Sequence, residues 1–152
     1  MALPQDKRNY WMLPQNPEEG GYYNYGTPLH GAGQYCHPQL LNFVLAAGRK
    51  WAMMDHRRFG VGNISLAGGA TFSPHHSHRN GLQVDIRPLR KDGRQLPVKH
   101  GSPDYDRQAT ARLVACFHST GMVRAVFFND GRIPRVHPLA GHDDHLHIEV
   151  LG

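Results

Sequence analysis

The spacing of hydrophobic positions changes several times along this chain, and each change marks an element. From Pro38 to Met54, Leu40, Leu41, Val44, Leu45 and Ala52 recur at steps of three and four, the pattern of an amphipathic helix. Pro38 suits its first turn, where a missing N–H costs nothing. Arg57 to Gly60 breaks the pattern, Val61 to Leu66 reads as a short strand, and Gly68-Gly69 ends it. Gln83 to Arg87 alternates as a strand: Val84 and Ile86 face the core, and Asp85 faces the opposite, exposed side. Pro88 onward, with Lys91-Asp92-Gly93-Arg94, is a solvent-exposed excursion. Ser102-Pro103-Asp104 combines a capping hydroxyl, a first-turn proline and an acid near the positive dipole end. It predicts a second helix running to about Thr120 and stopping at Gly121, with Ala109, Leu113, Cys116 and Phe117 as its buried stripe. Val123 to Phe128 is an apolar strand, Asn129-Asp130-Gly131 a turn, and His145 to Leu151 the last strand.

Residues 1–35 show neither period. They are rich in Pro, Gly, Asn and Tyr, as in Gly20-Gly21-Tyr22-Tyr23-Asn24-Tyr25-Gly26, and predict an irregular segment. Its tyrosines are expected to cover the edge of a core; lining a substrate groove is the alternative. At 152 residues the whole chain, 1–152, reads as a single domain with a genuine core. No apolar run approaches the ~18 residues that span a bilayer, and Met1 to Tyr10 lacks the apolar centre of a secretory signal. The net charge of +5 favours an anionic partner. Lys and Arg are scattered without a dense run, so nucleic acid is not expected, whereas an acidic polymer such as a bacterial cell wall fits. Cys36 and Cys116 have no metal-binding spacing. They either pair in an oxidising compartment or are two small buried hydrophobes, burial being favoured for Cys116.

Chemistry concentrates in two remote stretches, Pro74–Ile86 and Gly141–Val150. Between them they hold His75, His78, Asp85, His142, His145 and His147, nitrogen and carboxylate donors of the kind that bind zinc. The chain between His78 and Asp85 is long enough to turn through Asn80-Gly81 and present both groups to one point. His145 and His147 alternate with Leu146 and Ile148, so both imidazoles share one strand face. Only one of the two need bind the metal; the other is then a base held near it. His76 is expected to be a bystander, and His30, His56, His100, His118 and His137 to be surface or hydrogen-bonding residues. Arg79 and Arg87 are expected to be solvated charge, with an anionic substrate as the alternative partner.

The spacing His-x(2)-His-x(6)-Asp, followed by His-x(2)-His-x-His, resembles the penicillin-insensitive murein endopeptidases of the lysostaphin and D-Ala-D-Ala metallopeptidase group. The resemblance extends to Ile64-Ser65-Leu66 with Gly68-Gly69, to Gly81-Leu82-x-Val84-Asp85-Ile86 and to Gly141–His147, and covers about residues 60–150. It implies one Zn2+ per chain ligated by His78, Asp85 and His147, with His145 as catalytic base or transition-state stabiliser and His75 and His142 completing the site. Related carboxypeptidases and phage lysins carry Glu five residues before the last ligand, where this chain has His142, nearer the endopeptidase branch. Glu149 follows the ligand and is not that Glu. The group's fold is α+β, a small antiparallel sheet flanked by helices, in agreement with the elements above. The substrate implied is peptidoglycan, cleaved at the D-Ala to meso-diaminopimelate cross-link.

Three rivals remain: a D,D-carboxypeptidase or L-Ala–D-Glu lysin on the same scaffold, a non-catalytic zinc-containing binding module, and a metal-dependent nuclease, which no basic patch supports. The expected site of action is the periplasm or cell wall. The polar N-terminus points to a phage lysin, to an antibacterial effector with a cognate immunity protein, or to a signal already removed.

Overall fold

The computed structural model describes residues 3–74 and 78–152, and in it the alternating and helical stretches form the layers they predict. The elements are β1 (Trp11–Met12), β2 (Tyr22–Asn24), β3 (Tyr35–Cys36), α1 (Pro38–Ala52), β4 (Phe59–Val61), β5 (Gln83–Arg87), α2 (Arg107–Ser119), β6 (Val123–Phe127) and β7 (Leu146–Val150). Strands β1 and β3 form a small antiparallel pair. The main sheet has the order β2-β4-β5-β7-β6. All its neighbours are antiparallel except β2 and β4, which are parallel, so the sheet is mixed, not purely antiparallel. The fold is α+β.

One sheet face is apolar. Val61, Val84, Ile86, Val126, Leu146, Ile148 and Val150 are buried there with Leu40, Phe43, Val44 and Trp51 of α1 and Leu113 and Phe117 of α2. Phe117 joins the layers, its ring centroid 5.4 Å from that of Phe43 and 5.3 Å from that of Phe59. Burying a ring of this size contributes roughly 1.5–3 kcal/mol. The opposite face carries Gln83, Asp85, Arg87, His147 and Glu149, the polar half of the same alternation.

Three details differ from the sequence reading. The strand expected at Val61–Leu66 is Phe59–Val61. Beyond it the chain changes partners: Gly62 N–H bonds Asp85 O at 2.7 Å, whereas Ile64 N–H bonds Gly33 O at 2.8 Å and Ser65 O accepts from Tyr35 N–H at 3.0 Å. Helix α2 starts at Arg107, not near Ser102, because Asp106 is the cap, accepting from Ala109 N–H at 3.0 Å. Residues 102–105 turn instead, drawing Tyr105 inward to give its phenol hydrogen to Asp130 Oδ2 at 2.7 Å. Within the segment expected to be irregular, β2 joins the main sheet. Tyr22 and Tyr23 are buried in it, as a covered core edge requires. Cys36 and Cys116 are both buried and free, and burial pushes both thiols up from their ordinary range. No helix among the described residues is long and apolar enough to cross a membrane.

Candidate metal centre

The pairing of β5 with β7 brings the two histidine-rich stretches together. In its register Val84 lies opposite Ile148, Ile86 opposite Leu146, and Asp85 opposite His147. Directly opposed side chains on one face lie ~5 Å apart at Cβ, so backbone pairing alone sets carboxylate against imidazole. His78 reaches the same point from the loop before β5. The reversal passes through Gly81, whose φ of +71° and close approach to His37 N, 2.6 Å from where a Cβ would stand, admit only glycine. His78 itself is left-handed, with φ 63°. That conformation costs roughly 1 kcal/mol, and the Gln83 side chain helps hold it, its Oε1 accepting from His78 N–H at 3.0 Å.

His78, Asp85 and His147 are all buried, and one donor atom from each lies within 4.8 Å of the others. Asp85 Oδ1 is 3.3 Å from His78 Nε2 and 3.3 Å from His147 Nδ1. A tetrahedral centre with ~2.0–2.1 Å bonds has ligand–ligand edges of ~3.3 Å, so the donor set fits a small divalent cation. The His78 Nδ1 faces Ile64 O at 3.1 Å, a backbone contact that fixes the ring and leaves Nε2 for the centre. Burial works to raise the Asp85 carboxyl, but hydrogen bonds from His147 and His78 outweigh it and hold the group well below the usual carboxylate range. Asp85 is thus an anion, and it is 7% exposed, not on an open sheet face as the alternation predicted. Loops cover that face and leave a cavity of about 510 Å³.

The cavity wall includes His142, His145, Glu149, Phe127 and Leu139. The rings of His142 and His145 lie 4.6 Å apart, and that of His142 5.8 Å from His147. His145 Nδ1 is 2.8 Å from Asp144 Oδ1. A carboxylate only accepts, so Nδ1 bears the hydrogen and Nε2 is the open nitrogen. His142 Nδ1 faces Ala140 O at 3.0 Å, and burial lowers the ring's pKa, favouring the neutral form. His75 and His76 lie outside the described residues. His30, His56 and His137 are exposed, His100 pairs with Asp143 at 3.4 Å, and His118 Nε2 faces Arg135 O at 3.3 Å.

Sequence reasoning missed two partners with local signals: Asp144, adjacent to His145, and Glu149, which shares the His147 face and lies 3.6 Å from its Nε2. It also treated Arg87 as solvated surface charge, whereas Arg87 is half-buried and stacked on Tyr25 at 3.8 Å. Arg79 is exposed and donates to Gly69 O at 3.1 Å.

A search of curated proteins gives no match to this sequence. Among family models, that of the penicillin-insensitive murein endopeptidases matches residues 15–115. The match takes in His78 and Asp85 as well as residues 15–35, a stretch left outside the resemblance read from the motifs. His142, His145 and His147 lie past its end, and the β5–β7 ladder supplies their link to it. With about two thirds of its length so matched, the chain belongs to the penicillin-insensitive murein endopeptidase family.

Proposed function

We propose that the chain is a zinc peptidase that hydrolyses stem-peptide cross-links of peptidoglycan at the D-Ala to meso-diaminopimelate amide. The observation that carries this reading is the buried His78–Asp85–His147 donor group at the cavity holding His142 and His145, in a chain of this family. His78, Asp85 and His147 would hold the ion, and Asp85 would offset part of its charge. Zinc, when bound, supplies a Lewis acid that polarises the amide carbonyl and acidifies water toward a pKa of ~7.

The chain's own residues then divide the proton work. Asp144 orients His145 through Nδ1, so Nε2 points its lone pair toward the reacting centre. It takes the proton of the attacking water and returns it to the departing amine. His142, neutral and fixed by Ala140 O, offers a second acceptor beside it. Phe127 and Leu139 supply an apolar wall that limits competing water. The resemblance would add His75 to these residues.

Muropeptide analysis tests the reading. Purified murein treated with wild-type protein should lose cross-linked dimers and gain monomers, while His145→Ala protein binds equal metal and leaves the dimers intact. Release of free D-Ala indicates a carboxypeptidase, and cleavage at L-Ala–D-Glu a lysin. Metal retained without any product indicates a binding module.

A further inference from the structure

The sheet face that carries the donor group holds another row of side chains. The β5–β7 ladder ends at Ile86–Leu146, with Arg87 and His145 the next residue of each chain beyond it, while on the other side Arg87 pairs with Gly60 of β4. Asp85 and Arg87 share a face one pleat, ~7 Å, apart. Tyr25 lies across β4. A Cβ on Gly62 would stand 2.6 Å from its Cζ and 2.7 Å from its hydroxyl oxygen, and one on Gly60 3.0 Å from its Cδ1. Glycine at both positions therefore makes room for the ring against the backbone. The Arg87 guanidinium rests on that ring, Cζ 3.8 Å from the centroid.

Of the other half-buried arginines, Arg8 is neutralised by Asp6, Arg57 by Asp55 and Asp106 and Arg90 by Asp92, and Arg58 donates to Glu18 O. Among the described residues the Arg87 guanidinium has the ring contact but no ion pair and no hydrogen bond. A guanidinium held by its face keeps its N–H edge for a planar anion. We propose that Arg87, shelved on Tyr25, is a specificity residue that binds a substrate carboxylate beside the scissile amide. The proposal rests on the murein reading: in that cross-link the departing nitrogen is attached to a carbon bearing a free carboxylate. An amine leaving beside His145 brings that anion to the sheet face that Asp85 shares with Arg87.

The test uses a purified cross-linked muropeptide dimer with this carboxylate free, and the same dimer amidated there. On the free acid, Arg87→Gln should lower kcat/KM about 10- to 100-fold, the usual worth of a charge-assisted hydrogen bond. Amidation should cost wild type a similar factor, and the two losses should overlap rather than add. Arg87→Lys, which keeps the charge without the fork, should recover part of the loss, and it replaces Arg87→Gln if that variant does not fold. Calorimetric binding of the free-acid dimer to His145→Ala protein, with and without Arg87→Gln, should show the same difference without turnover. Equal losses on acid and amide, or no loss on either, overturn the proposal while leaving the peptidase reading intact. Wild-type protein that cleaves neither dimer sinks both.

Discussion

At the scale of single residues, the two histidines of the last strand make opposite predictions. His147 is buried against Asp85, and its removal leaves the donor group with two members. His147→Ala, like His78→Ala or Asp85→Ala, should lose bound metal and all turnover, as read by metal content of the purified protein. His145 is partly exposed and lies outside that group, so His145→Ala should keep the metal while kcat falls about 10²- to 10⁴-fold. Full activity in metal-free His147→Ala protein would refute the ligand assignment. Asp144 acts through His145, so Asp144→Asn should lower kcat about 10- to 100-fold. Its alkaline and acid limbs should shift while metal content stays constant; an unshifted pH profile would leave Asp144 no orienting role.

At the scale of elements, the N-terminal segment clasps the loop that presents His78. The Asp6 carboxylate accepts from Gly68 N–H at 2.8 Å and from Arg8 N–H at 2.8 Å. Arg8 in turn donates to Ser65 Oγ at 3.0 Å, to Leu66 O at 3.0 Å and to Arg79 O. The clasp thus grips the loop just after β4 and again one residue past the donor. Asp6→Ala should lower stability by about 1–3 kcal/mol and weaken metal binding as well, checked by thermal melts beside metal titration. A lower Tm with unchanged metal affinity would show that the clasp supports the fold alone. None of this was legible in the sequence, because Asp6 and Arg8 are separated from their partners by some sixty residues of chain. What was legible shares a property: α1, β5, β6 and β7 each present several residues of one period, and His78, Asp85 and His147 ride on or beside such stretches. Strand β2 has too few residues for a period to show, and its parallel pairing with β4 has no local signal. Arg87 was misread for that reason, since only the β2–β4–β5 order puts Tyr25 beneath it.

At the scale of the whole molecule, stability depends on acids that the fold holds ionised. Burial tends to raise Asp6, but Arg8 and three backbone N–H groups bring it down to about 2. Arg57 is the main cause holding Asp55 well below its ordinary range. For Asp106 burial opposes, and the Ala109 N–H first and Arg57 second bring the carboxyl down. The Arg57 guanidinium lies 2.7 Å from Asp55 Oδ2 and 2.8 Å from Asp106 Oδ2, tying the end of α1 to the cap of α2. A folded pKa below the unfolded ~3.9 means that the unfolded chain binds protons first as pH falls. The stabilisation from these acids is therefore complete above about pH 5 and is lost progressively below about pH 4, down to about 2 for Asp6 and lower still for Asp55. Metal binding is itself pH-dependent and stabilises the fold, so the measurement belongs in chelator, on metal-free protein. There Tm should fall steeply below pH 4. Arg57→Gln supplies the control that assigns the cause. It should lower Tm clearly at pH 7, where the acids are charged in the folded and unfolded chain alike, and less at pH 2.5, where the unfolded chain already holds their protons. Equal depression at both pH values would mean that Arg57 contributes through its aliphatic stem and its bond to Arg90 O, not through the acids it joins.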